Sequence, residues 1–285
     1  ILADTGALVI GAGRWTYNAA GVIDTVSPNF GQYGTNVTIS GSRLRSSGGR
    51  VERVTLRGVA ARIIQETDSV VVVVASEASG SSLGFGDVVL TADTGATTSL
   101  VNGWEYRAGG VIQTVTPSVG QIGTRVAIQG TSLRGSGGHV VRVTLNGVDV
   151  QSISSETDTV VEVVAARSNG SGPGEIVLYA DTGAVVSLNN TWQYLDEGVV
   201  STLSPASGQA GTRVVISGAR LLGGGSSVVS VAIGGINVQE IVSYNNSMVV
   251  VIAGHRNSNG LVSVVLVSNT GATVVGVDKF TYLGA

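Results

Sequence analysis

The sequence predicts an all-β chain built as a tandem array of antiparallel β-sandwiches, and three observations carry that prediction. Gly21-Val22-Ile23 returns as Gly110-Val111-Ile112 and Gly198-Val199-Val200, Pro28 as Pro117 and Pro205, so the chain repeats about every 88 residues. Within each repeat, short β-branched runs alternate with Gly, Asn, Asp and Ser turns. No segment carries the 3.6-residue apolar period of a helix.

In the first full repeat the expected strands are Val22 to Val26, Asn36 to Ser40, Val51 to Leu56, Ala61 to Ile64, Val70 to Ala75, Asp87 to Thr91 and Thr97 to Tyr106. Thr35-Asn36-Val37-Thr38-Ile39-Ser40 alternates polar and apolar, the pattern of a half-buried strand. Val70 to Val74 is continuously apolar, which suits a strand covered on both faces. Leu90-Thr91-Ala92-Asp93-Thr94-Gly95-Ala96 sets Asp and Gly between two runs, where Gly can take a positive φ, and predicts a tight hairpin. Trp104 and Tyr106 lie two residues apart and share one face of the closing strand. The same spacing gives the aromatic anchors Trp15 and Tyr17, Trp192 and Tyr194, and Phe280 and Tyr282.

This periodicity divides the chain into residues 1–20, the tail of a preceding repeat, and full repeats at 21–109, 110–197 and 198–285. Each full repeat is large enough to bury its own small core. The tail, with Ala3-Asp4-Thr5-Gly6-Ala7 matching Ala92 to Ala96, implies either a window on a longer array or a segment that completes something outside it. Three residues separate Tyr106 from Gly110 and Tyr194 from Gly198, too few for neighbouring domains to tumble freely. A stiff, rod-like array about 100 Å long is the expectation.

Charged residues make up 12% of the chain, about half the usual share, and the only lysine is Lys279. A surface so poor in lysine lacks one common defence against association between sheet edges. The net charge of -3 offers no basic field for phosphates, which argues against nucleic acid or anionic membrane as the main partner. No apolar run is longer than that of Val70 to Ala75, which is far short of a membrane span. With no cysteine, disulfide and thiolate chemistry are excluded.

No catalytic, cofactor or metal set can be assembled. His139 and His255 occupy non-equivalent positions in different repeats, which reads as exposed loop histidine. Asp4, Asp93 and Asp181 are lone carboxylates beside Thr-Gly, short of the oxygen ligands calcium needs, and read as turn caps. Glu66-Thr67-Asp68 and Glu156-Thr157-Asp158 give way to Tyr244-Asn245-Asn246 in the third repeat, and read as a solvated turn. Ser46 to Gly49, Gly135 to Gly138 and Gly223 to Ser227 lack the Gly-Lys-Ser/Thr ending of a phosphate loop and read as flexible connections. Asn36, Asn169, Asn189 and Asn245 are candidate N-glycosylation sites of the Asn-x-Ser/Thr type.

The run from Ile23 to Leu44, with Val26-Ser27-Pro28, Gly31, Gly34-Thr35 and Gly41 to Leu44, resembles the opening of an IPT/TIG domain, the immunoglobulin-like fold shared by plexins and transcription factors. Val115-Thr116-Pro117, Gly120, Gly123-Thr124 and Gly130 to Leu133 repeat the pattern, as do Leu203-Ser204-Pro205, Gly208, Gly211-Thr212 and Gly218 to Leu221. The resemblance implies immunoglobulin-like sandwiches of the E-set type. It leaves function open, because such domains serve receptors, DNA-binding modules, enzyme spacers and surface fibres. Composition and repeats together lead to the expectation of a non-enzymatic extracellular or cell-surface structural protein. It would be a building block of a filament or appendage that self-associates and carries glycans, with no cofactor and no membrane insertion. The alternative is an adhesin or receptor ectodomain that binds a carbohydrate or protein. That reading asks for an exposed cluster among Phe30, Tyr33, Phe85, Tyr179 and Tyr244.

Overall fold

The computed structural model describes every residue except 3, 9, 12, 14, 15, 284 and 285, in two compact units, Ile1–Ala108 and Gly109–Ala285. The first unit holds β1 (Val22–Ser27), β2 (Phe30–Gly31), β3 (Asn36–Ser42), β4 (Val51–Leu56), β5 (Val59–Glu66), β6 (Val70–Val74), β7 (Gly84–Ala92) and β8 (Thr97–Tyr106). Every expected strand is present. Only the two-residue β2 was illegible, since it forms by pairing parallel to the end of β8, Phe30 beside Glu105 and Gly31 beside Tyr106.

The sheet order β1-β3-β6-β5-β4-β7-β8-β2 is continuous because β5 passes from one layer of the sandwich to the other. Val59 to Ala61 pair with β4, and Arg62 to Glu66 pair with β6. In the second unit the equivalent segment breaks into Val148–Asp149 and Ser152–Glu156, each in its own sheet. The cause is one extra residue: Glu156 follows Val148 by eight positions, whereas Glu66 follows Val59 by seven. An odd insertion reverses which way side chains point, so a single strand can no longer serve both layers. The third repeat breaks in the same way, into Ile236–Asn237 and Glu240–Tyr244.

Alternate residues of both layers meet in one core per repeat. In the first, Val37, Ile39, Val54, Leu56, Val71, Val73, Val88 and Leu90 are buried around Trp104. Val70 to Val74 departs from expectation. Val71 and Val73 are fully buried, but Val70, Val72 and Val74 on the other face are only half-buried. The sandwich has two layers, so β6 is flanked in its sheet by β3 and β5 without being covered on its outer face.

Trp104 and Tyr106 meet edge to face, with ring centroids 5.5 Å apart, as do Trp192 with Tyr194 at 5.4 Å and Phe280 with Tyr282 at 5.1 Å. All six are essentially inaccessible to solvent. Burying each large ring contributes on the order of 3 kcal/mol.

Residues 1–20 behave differently. A bridge between Leu2 and Leu8 marks the expected hairpin. Ile1, Leu2, Leu8 and Ile10 nevertheless stay exposed. Tyr17 is 91% exposed, so it is not a buried anchor here. Its expected companion, Trp15, lies outside the described residues.

Candidate functional site

Among the described residues there is no cluster of three or more His, Asp or Glu side chains able to hold a metal ion, and no helix long and apolar enough to cross a membrane. The recurring acids instead build structure. Glu66 accepts from Arg45 Nε and Nη2, both at 3.0 Å, and from Val51 N–H, while Asp68 accepts from Arg45 N–H. Glu156 repeats this with Arg134 Nε at 2.7 Å, and adds His139 Nδ1 at 2.9 Å. The hydrogen-bonded Arg134 guanidinium outweighs the burial that opposes ionisation, and with His139 and Val140 N–H it holds the Glu156 carboxyl down at about 2. The third repeat replaces Arg and Glu by Leu222 and Tyr244, and Leu222 packs onto the core instead.

The lone Asp residues cap more than their own turn. Asp93 Oδ1 accepts from Gly49 N–H, Asp181 Oδ1 from Gly138 N–H and Asn269 Oδ1 from Ser226 N–H, each at 3.0 Å. The Gly-rich loops read as flexible are therefore tied down by the hairpin opposite.

The four sequon asparagines are all exposed, on separate elements. Asn36 opens β3, and Asn189 lies in Val185–Tyr194. Asn245 caps its turn by accepting from Ser247 N–H and Met248 N–H, both at 2.8 Å. Asn169 lines a cavity of about 450 Å³ with Asp196, Glu197 and Arg220, beside the linker between the second and third repeats. The aromatics that a ligand-binding face would need are not gathered. Phe30 lies under the Arg107 guanidinium at 3.7 Å and Tyr179 under Arg142 at 4.8 Å. Among the described residues Tyr33, Phe85 and Tyr244 are exposed without forming a ring pair with one another.

The most developed polar site within residues 109–285 is the joint between the second and third repeats, and sequence reasoning missed it. The turn Gly120-Gln121-Ile122-Gly123-Thr124 lies against the hairpin Asn269-Thr270-Gly271-Ala272-Thr273. Arg125 N–H donates to Thr270 O at 2.8 Å, and Thr273 N–H donates to Ile122 O at 3.0 Å. Gln121, 1% exposed, donates from Nε2 to Thr273 O and accepts at Oε1 from Gly198 N–H, both at 2.8 Å. One side chain thus fastens the hairpin and the first residue of the next repeat together. Two glycines make the approach possible: a Cβ on Gly123 would lie 2.8 Å from Gly271 O, and one on Gly271 would lie 2.9 Å from Gly123 O. Both also hold positive φ, +85° and +88°. Around this joint Arg220 Nε donates to Glu197 O at 3.0 Å, and Arg167 pairs with Glu197 at 2.9 Å. The available signal was the recurrence of Gln32, Gln121 and Gln209 in one unchanged Gly-Gln-x-Gly-Thr frame.

Three in-phase sandwiches with a shared turn define a tandem β-sandwich repeat protein. The IPT/TIG domain model matches residues 22–102, 111–194 and 199–282, and the chain belongs to that family. No curated protein matches it. Among solved structures it is similar to the full extracellular region of plexin A4, at 16% identity and a TM-score of 0.49, over 95% of this chain and 25% of that one. It is also similar to a protein of the Bacteroides ovatus mixed-linkage glucan utilization locus in complex with a mixed-linkage heptasaccharide, at 15% identity and 0.28, over 95% and 69%. The eight N-terminal domains of Down syndrome cell adhesion molecule match at 12% and 0.25, over 93% and 40%. The chain spans a quarter of the plexin region's length, and none of these likenesses bears on what it does.

Proposed function

We propose that this chain is a non-enzymatic structural repeat protein of the cell exterior, a building block of a surface filament or appendage that is extended by locked joints and clothed in glycans. The Gln121 joint carries this reading. A linker meant only to tether domains needs no buried glutamine, no bare glycine pair and no hydrogen bonds across the gap. A joint that has them resists bending, because bending would leave the part-buried Thr273 carbonyl and Gly198 N–H without these partners, at about 1 kcal/mol per group. The charge-poor surface and the exposed Asn36, Asn169, Asn189 and Asn245 fit a protein hydrated partly by sugars. The adhesin or receptor reading has no comparable support, since the aromatics it asks for are dispersed.

Electron microscopy and intact mass on protein from its native source test this. Filaments of repeating subunits, with a mass above 28.7 kDa, are the expected result. Single copies at the bare peptide mass, monodisperse at high concentration, overturn it.

A further inference from the structure

The joint between the second and third repeats is flanked by a polar cavity that the Gln121 lock does not use. Residues 168–171 of the second repeat, Asp196 and Glu197 of the linker, and Arg220 of the third repeat line about 450 Å³ of space. The lining therefore comes from both repeats and from the chain that joins them. Asn169-Gly170-Ser171 in that loop is a glycosylation sequon, so the attachment atom, Asn169 Nδ2, belongs to a residue of the cavity wall. The loops at the same place in the first and third repeats, residues 76–83 and 254–259, contain no Asn-x-Ser/Thr. The other sequons sit differently: Asn36 and Asn189 lie in strands, and Asn245 Oδ1 is tied to its own turn.

The chemistry of the wall suits a sugar. Asp196 and Glu197 supply carboxylate acceptors for hydroxyl groups, and Arg220 supplies a planar donor. Arg220 Nε donates to Glu197 O at 3.0 Å and Arg167 pairs with Glu197 Oε2 at 2.9 Å, which positions both side chains in advance. Glu197 Oε1 is shielded and has no hydrogen-bond partner among the described residues, an acceptor still to be matched. Half-buried Leu195 adds an apolar contact for the face of a ring. At the packing density of a protein interior one N-acetylhexosamine fills roughly 250 Å³, so the cavity holds one sugar and not two.

Resting on the glycan-clothed structural role proposed above, we infer that Asn169 carries an N-linked glycan whose first sugar seats in this cavity and braces the joint. Attachment forms the bond from Asn169 Nδ2 to the anomeric carbon of the sugar. The amide gives up one proton, and the anomeric C–O bond to the phosphate of a lipid-linked sugar donor breaks, the phosphate leaving with the electron pair. Hydroxyls of the seated sugar donate to Asp196 and Glu197 Oε1 and accept from the Arg220 guanidinium, so the sugar touches both repeats. Bending the joint would then have to separate these contacts as well as those of Gln121.

Full-length protein from its native source is mapped by mass spectrometry, and Asn169 should carry the mass of a glycan. Amide exchange is then compared in three forms: the intact glycoprotein, the same protein trimmed by exoglycosidases to its first sugar, and a Ser171→Ala chain from the same host, which keeps Asn169 and loses the sequon. Gly198 N–H donates to Gln121 Oε1 and Leu221 N–H to Asn246 O, so both amides report on the walls of the joint. Their exchange should be alike in the first two forms and at least about threefold faster in the third, and Asn169→Gln should match Ser171→Ala. An unmodified Asn169 overturns the inference. Equal exchange in all three forms overturns it as well, because the glycan then points into solvent, and so does trimmed protein that exchanges like Ser171→Ala. Filaments seen by microscopy alongside any of these results leave the structural role standing; single unassembled copies remove that role whether or not Asn169 is modified.

Discussion

Gln121 and Gln209 occupy the same turn one repeat apart, and their surroundings differ in every respect that the joint controls. Gln121 is buried, with both ends of its amide used by the next repeat, while Gln209 is exposed. Gly123 meets the Gly271 carbonyl, while Gly211 faces open space. The turn itself hardly changes: the φ values of the two glycines differ by 3°, 85° against 82°. Its shape is therefore set inside each repeat, by the Thr124 or Thr212 hydroxyl and the strand behind it, before any neighbour is met. The joint is pre-formed on one side, so locking it costs little ordering entropy.

Substitutions should separate the two copies. The largest difference is expected for Gly123→Ala against Gly211→Ala. Both introduce Cβ at positive φ, costing about 1–2 kcal/mol. Only the first also pushes into Gly271, so chemical denaturation should show about 3 kcal/mol lost for Gly123→Ala and about 1 kcal/mol for Gly211→Ala. Equal losses would mean that the joint adds no stability. Next, Gln121→Ala should cost about 2 kcal/mol, because it removes the partner of two part-buried backbone groups, whereas Gln209→Ala should stay within about 0.5 kcal/mol.

A smaller contrast distinguishes the second and third repeats at the Arg134–Glu156 corner. The folded carboxyl titrates near 2, against 4.5 when unperturbed, so its stabilisation is complete above about 4.5 and is lost as pH falls through 2. Glu156→Gln should cost about 1 kcal/mol near neutral pH, discounted for a partly exposed pair, and the deficit should shrink on acidification. Amide exchange around the equivalent Leu222 and Tyr244 should not follow that window. The smallest effect is expected from Trp192→Phe. The third repeat already uses Phe280 here, and Trp192 Nε1 is buried without a hydrogen-bond partner, so the lost ring volume is partly offset by removing an orphan donor. A melting curve showing more than about 1 kcal/mol of change would mean that the indole nitrogen has a role.

Much of this fold is legible in residue order because it depends on local pattern. Period-2 runs gave the strands, Asp-Thr-Gly the hairpins, and the Trp104 and Tyr106 spacing the inward face. Features that depend on partners far away in sequence were hidden. β2 exists only because β8 lies beside it, and the outer face of Val70 to Val74 looks apolar but is left half-open by a two-layer sandwich. Asp93 reads as a cap of its own turn, yet it also ties down Gly49, 44 residues away. Gln121 was hardest to see, because a polar residue between two glycines looks like any solvated turn. Its one visible mark was that it recurred while its neighbours Tyr33, Ile122 and Ala210 did not.

Amide hydrogen exchange of Arg125 and Thr273 tests the locked joint most directly, with Arg213 as the internal reference. Arg125 and Thr273 donate across the joint at 2.8 and 3.0 Å, so their exchange should be slowed by orders of magnitude and should accelerate together in Gln121→Ala. Arg213, at the position equivalent to Arg125 but without a hairpin before it, should exchange quickly. If Arg125 and Thr273 exchange as fast as Arg213 in the wild-type chain, the second and third repeats are merely tethered, and the account of a locked array is wrong.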